Sequence, residues 1–312
     1  SQPPMFEGVM KYVGVVEYVE QLDEIFQEAF RQALSGVPGP TYVELPLHIM
    51  QAELDLPPVL PPHRYRLVSQ QAGTAAVQDA VDILTSAKNP ILLVGQGAFV
   101  SRAHADVTAL AVKLGAPIIS TNSVEAILEG MEDRTLPYGS PGASEIVANC
   151  DAVVAIGTEI SEATHYGRGR HWSKGNTDRK WIYIEQDPTA FGVNRPIDAP
   201  LVGDLRAIVP QLTAALGDFS GTLPANVSVL ARAHDADKEA LVAKLPNVSK
   251  PIHTGRLAVE ATRDLPPETI IVRDGGAASM WFNAALMMKP RDAMWSSNYG
   301  AIGTGLPYAL GA

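Results

Sequence analysis

Three glycine-rich stretches hold the residue types that could bind a small ligand. The first is Val94-Gly95-Gln96-Gly97-Ala98-Phe99, between an apolar strand-like run and a helical one. Glycines in such a turn let backbone N–H groups approach a phosphate. A full dinucleotide fingerprint needs a third glycine near position 100 and an acid at the end of the next strand. Val100 and Thr121 stand there instead. Two readings stay open: a tight strand-to-helix turn, or a nucleotide at Gly95, Gly97 and Asp187. The second stretch, Asp274-Gly275-Gly276-Ala277-Ala278-Ser279-Met280-Trp281, also follows a strand-like run, and its small residues suit a phosphate at a helix N-terminus. In the third, Ser297 to Pro307, Gly300, Gly303 and Gly305 fall within six residues, and Ile302 projects between two of them. A flat aromatic ligand could rest on Ile302 while the Gly300 carbonyl accepts a hydrogen bond from it.

Other chemistry is thin. The seven histidines are scattered, with no pair at metal-ligand spacing. No Cys/His pair or Ser/His/Asp grouping is visible in the order of residues. His165-Tyr166-Gly167-Arg168-Gly169-Arg170-His171-Trp172 is cationic and aromatic. It reads as a solvated loop, or else as a phosphate or carboxylate contact through Arg168 or Arg170.

These residues must be positioned by an α/β framework. Leu22, Ile25, Phe26, Ala29, Phe30, Ala33 and Leu34 share one helical face within 19–35, ended by Gly36. Thr41 to Leu45 is a short β-rich run, and the proline-rich 53–74 reads as a linker. Apolar strands follow at Pro90–Gly95, Pro117–Thr121, Asp151–Gly157, Lys180–Glu185 and Ala199–Gly203. Helices are expected at 101–114, 142–150 and 205–216. Strands that are apolar throughout and alternate with helices imply a parallel sheet covered on both faces. Residues 219–250 read as a second linker with a helix near 228–245, and a strand at Thr269–Val272 opens a further unit.

The 312 residues exceed the ~150 of one average domain, so two compact units, or pieces of more, are expected. Hydrophobic residues at 46% and charged ones at 19% exclude disorder as the main state. A net charge of −10, without a basic run, argues against a nucleic-acid partner. The single Cys150 cannot form an internal disulfide, which fits a reducing, cytoplasmic setting. No run of 18 apolar residues suggests a membrane span. The start at Ser1 and the apolar end, Gly303 to Ala312, suggest part of a longer protein.

Gly36-Val37-Pro38-Gly39-Pro40-Thr41-Tyr42-Val43-Glu44-Leu45-Pro46 resembles the segment ending the pyrimidine-binding domain of thiamine-diphosphate enzymes of the acetolactate synthase or 2-oxo acid decarboxylase type. Residues 75–216 are similar to that family's central domain, including Ile184-Glu185-Gln186-Asp187-Pro188 and Leu201-Val202-Gly203-Asp204. Residues 253–312 resemble the start of its diphosphate-binding domain, with Met280-Trp281, Pro290-Arg291 and the Gly300–Ala312 segment. The resemblance implies a parallel-sheet α/β fold with a complete Rossmann-like central domain between two partial ones. The corresponding boundaries are 1–52, 53–74 (linker), 75–218, 219–250 (linker) and 251–312. It implies a homodimer or homotetramer acting on a small-molecule 2-oxo acid with thiamine diphosphate and Mg2+, as a carboligase or as a decarboxylase. A non-catalytic nucleotide-binding module is the alternative for a chain naturally this short.

By resemblance, Gly276, Ala277 and Ala278 contact the diphosphate, and with Gly300, Ala301 and Ile302 they form the thiamine-diphosphate set. Within it, the Gly300 carbonyl accepts from the 4′-amino group and Ile302 props the bent cofactor. The activating glutamate and the magnesium motif fall outside this segment, so no catalytic or metal residue is assigned within it. FAD, or an ADP-like nucleotide, is a separate question. Glu159 and Glu162 stand where flavin-binding relatives place a cation, and Leu136-Pro137-Tyr138-Gly139 replaces a Gly-Met-His-Gly loop. Like charges repel, so the protein is expected to lack bound FAD.

Overall fold

A computed structural model describes residues 2–311 except 56–57, 122–127, 129, 174–177, 267–268, 286–291 and 296–301. The chain divides into two compact units, Ser1–Gln71 and Ala72–Ala312.

In the first unit, β1 (Tyr12–Val15) and β2 (Thr41–Glu44) pair in parallel, Tyr12 opposite Thr41. Parallel neighbours need a crossover, and α1 (Leu22–Leu34) provides it. Of the apolar stripe expected along α1, only Ala29 is buried, while Phe26, Phe30 and Leu34 stay exposed. β1 was not expected from the sequence: it is four residues long and contains Gly14.

The second unit begins with α2 (Thr74–Ser86) and β3 (Pro90–Val94). Next come α3 (His104–Leu114), β4 (Ile118–Ser120), β5 (Thr135–Pro137), α4 (Pro141–Asn149) and β6 (Ala152–Ile156). β7 (Lys180–Glu185), β8 (Ala199–Val202), α5 (Leu205–Ala215) and α6 (Ala225–Ala243) follow. The six strands β3 to β8 form one parallel sheet in the spatial order β5-β4-β3-β6-β7-β8. The order runs outward in both directions from the β3/β6 pair, which makes that pair the topological switch point.

Successive strand residues serve opposite faces. Leu92, Val94, Val154, Ile156, Ile182 and Ile184 pack with Leu84 of α2, Leu110 of α3 and Leu212 of α5. Ile91, Leu93, Val153, Ala155, Trp181 and Tyr183 pack with Ile146 of α4 and Val227 of α6. Both faces are therefore covered, which is why these strands read as continuous apolar runs.

Two details differ from the sequence expectation. The helix expected over 101–114 starts only at His104, because Arg102, at φ +56°, breaks the run, and a separate short helix, Gln96–Val100, precedes it directly after β3. β5, ending in Pro137, was not expected; it lies at the sheet edge, where a missing N–H costs no ladder bond.

The remaining elements are α7 (Thr254–Thr262), β9 (Ile270–Arg273), α8 (Ala277–Ala285), β10 (Asp292–Trp295) and α9 (Gly305–Gly311). β9 and β10 pair in parallel. Leu245, Ala258, Val259 and Ala285 form a small core that joins α7 and α8 to the end of the α6 segment.

Candidate functional site

The second and third glycine stretches meet at the carboxyl end of β9. The residue that joins them is Asp274. Its carboxylate accepts the N–H groups of Gly275 at 2.6 Å, Gly303 at 2.8 Å and Gly305 at 3.2 Å. The Gly275, Gly303 and Gly305 donors hold the Asp274 carboxyl below its ordinary range. The sequence alone assigns Asp274 no role. The signal available was an acid directly before a Gly-Gly pair at a strand end, an arrangement that favours local acceptance of backbone N–H groups.

Around Asp274 the backbone needs glycine. Gly276 has φ +84° and Gly303 has φ +98°, and a Cβ at either would meet nothing within 4 Å. The requirement is conformational and the space beside it is open. Gly276 leads into α8, where Ala277 is the first helical residue and Ala278 the second. Ile302 is 81% exposed, so it is not core in this chain. Gly300 and Ala301 lie outside the described residues.

α8 is positioned from behind. Trp281 packs against Gly255, where an added Cβ would lie 2.6 Å from the indole Cε3. His253 meets Trp281 edge-on at 4.8 Å, and its Nδ1 accepts the Gly255 N–H at the start of α7.

The first glycine stretch lies at the switch point of the central sheet. The Gly95 N–H donates to the Ile156 carbonyl at 3.0 Å, and the Gly97 N–H donates to the Gly157 carbonyl at 2.8 Å. Asp187, at the end of β7, is on a different part of the rim. With Glu159, Ser161, Tyr183, Thr189 and Arg195 it lines an open cleft of about 310 Å³. Thr189 donates to Asp187 from both its hydroxyl and its N–H, which holds the carboxyl low. Burial pushes the Glu185 carboxyl and the Tyr183 phenol up, and Tyr183 donates to the Thr158 carbonyl.

The 165–172 cluster is largely a packing device. Trp172 is buried; its Nε1 donates to the Thr164 carbonyl at 2.8 Å and to Tyr138 Oη at 2.9 Å. Burial pushes the Tyr138 phenol up to about 12. His165 and Tyr166 adopt left-handed backbone, at φ 51° and 54°. Arg168 and Arg170 are exposed on this loop. The cation beside the cluster is Arg195, not noted from the sequence. Its guanidinium stacks on Trp181 at 3.8 Å and donates to the Gly167 carbonyl at 2.6 Å. Burial lowers the Arg195 guanidinium to about 10. Among the described residues, no group of His, Cys, Asp or Glu could hold a metal ion.

The fold is a doubly wound α/β sheet followed by a further, glycine-rich strand end gathered at Asp274. Residues 77–212 match the family model described as "Thiamine pyrophosphate enzyme, central domain". The chain is 26% identical to an acetolactate synthase of Arthrospira platensis, over 97% of this chain and 53% of that protein. It is also 26% identical to a sulfoacetaldehyde acetyltransferase of Alcaligenes xylosoxydans, over 100% of this chain and 56% of that protein. An oxalyl-CoA decarboxylase of Escherichia coli is 26% identical, over 95% of this chain and 53% of that protein. Residues 77–212 thus match the central domain of the thiamine-diphosphate-dependent enzymes, and the whole chain is similar to members of that family. It spans about half the length of the curated relatives it matches.

Proposed function

We propose that the full-length protein carries out thiamine-diphosphate- and Mg2+-dependent C–C bond chemistry on a small 2-oxo acid, as an acetolactate synthase-like carboligase. The observation that carries this reading is the Asp274 tie, which brings Gly303 and Gly305 to the strand end from which α8 departs. The residues suit the cofactor: open left-handed glycines at 276 and 303 flank a helix N-terminus, and an exposed Ile302 adjoins them. When bound, thiamine diphosphate supplies a carbon nucleophile and a sink for the electrons released with CO2.

The chain's own residues bind and orient. The backbone of Gly276, Ala277 and Ala278 receives the diphosphate, helped by the partial positive charge at the start of α8. By resemblance, the Gly300 carbonyl would accept from the cofactor's amino group. The exposed Ile302 side chain would support the thiamine from below and so help orient it for proton movement over a short distance.

A 2-oxo acid decarboxylase is the second reading. Glu159, which lines the cleft beside Asp187, favours it, since the resemblance implies a cation in that stretch of flavin-carrying relatives. Assembly as a homodimer or homotetramer goes with the exposed Met280, Ile302, Leu306 and Leu310. A cytoplasmic location goes with the free, buried thiol of Cys150.

Full-length protein with thiamine diphosphate, Mg2+ and pyruvate should form acetolactate. Release of aldehyde instead would select the decarboxylase, and no turnover of any 2-oxo acid would overturn both.

A further inference from the structure

We infer that the carboxyl end of the central sheet does not take the diphosphate of a flavin or of an adenine nucleotide. Its glycine turn is a backbone joint whose N–H groups are bonded within the protein.

Open α/β sheets bind dinucleotides where the strand order reverses, and the phosphate is met by free N–H groups of the glycine turn. Here the reversal lies between β3 and β6. The loops leaving those strands are hydrogen-bonded to each other: Gly97 N–H donates to the Gly157 carbonyl, and Gly95 N–H to the Ile156 carbonyl. Both glycine N–H groups of the turn are spent on protein carbonyls. The Gly157 N–H is spent as well, on the Ile184 carbonyl at 3.1 Å. The glycines are also needed with no ligand present. A Cβ at Gly95 would lie 2.4 Å from Thr158 Cβ, and one at Gly97 2.8 Å from Gly157 Cα.

Charge points the same way. Glu159 and Asp187 line the neighbouring cleft, and Asp187 is held ionised by Thr189. Arg195 is the cation among the lining residues, and its guanidinium is committed to the Gly167 carbonyl and the Trp181 ring. An incoming diphosphate would meet like charge there, with the Gly95, Gly97 and Gly157 N–H groups already committed.

The test is calorimetric titration of the full-length protein with FAD and with ADP, and separately with thiamine diphosphate. We expect no saturable binding of FAD or ADP and no flavin absorbance in the purified protein, whatever the thiamine-diphosphate titration shows. Near-stoichiometric FAD or ADP overturns the inference. Failure of thiamine diphosphate alone touches only the proposed function. The second arm is Gly97→Ala without nucleotide. A joint predicts a fall in melting temperature of at least about 4 °C, and an unchanged melting temperature overturns the joint. Should this variant not fold, the titrations of the unaltered protein decide.

Discussion

Ile302 and Asp274 carry separate expectations. Because Ile302 is 81% exposed, Ile302→Ala removes little packing in this chain, and the stability change should stay within about 0.5 kcal/mol. If the side chain props the cofactor, kcat of the full-length enzyme should fall about tenfold, or ~1.4 kcal/mol in the barrier. Melting temperature and kcat measured on one preparation check this, and a lowered melting temperature with unchanged kcat would sink the propping role. Asp274 adds a pH dependence. Its folded carboxyl lies below the ordinary range, so its contribution is present above the unfolded value and is lost as pH falls through the folded one. Amide protection at Gly303 and Gly305 should therefore persist down to about pH 4 and fade only in stronger acid. Asp274→Asn should lower that protection at neutral pH. Equal protection in the variant would show that the carboxylate does not hold the loop.

Two contacts show how single residues place whole elements. α8 can start where it does because Gly255 on α7 leaves room for the Trp281 ring. Gly255→Ala overpacks this contact and should cost about 1–3 kcal/mol. The expected outcome is a lower unfolding midpoint in urea together with weaker thiamine-diphosphate binding; full affinity would show that α8 does not depend on this contact. In the central sheet, buried Arg179 reaches back to the end of α4. It donates to the carbonyls of Val147 at 3.1 Å, Ala148 at 3.4 Å and Cys150 at 3.3 Å. A cation there satisfies carbonyls that a helix end leaves open and complements its partial negative charge. Arg179→Met should cost about 2–4 kcal/mol, measured by denaturant unfolding, since it strands buried acceptors. A loss under half a kcal/mol would mean that water replaces the guanidinium.

The whole chain has one clear break in its contacts, between Gln71 and Ala72. Among the described residues of 51–71, most are exposed and irregular, with a single 3-10 turn at Pro62–Arg64. Such backbone is where proteases cut first. Limited proteolysis should release a stable fragment beginning near Ala72. A first cut inside β3 to β8 would contradict the packing of the central sheet on both faces.

Much of this architecture was legible in the order of residues. Leu92 and Ile91 serve opposite faces of one covered sheet, so β3 and β6 had to be apolar at every position, and they stood out in sequence with Trp181–Ile184 of β7. The start of α8 was legible too, since Gly276 permits a left-handed turn that few other residues allow. α6 was only partly legible: Val227 and Ala231 are its buried residues, too few to print a clear period across 19 residues. The joint at the switch point and the tie at Asp274 were decided by tertiary structure alone. Gly97 meets a carbonyl 60 residues further on, and Asp274 meets an N–H 29 residues further on. Backbone donors carry no residue label, so a sequence shows which turns are possible but not what their N–H groups will find. That is settled when parallel strands take their register and bring the following loops within hydrogen-bonding distance.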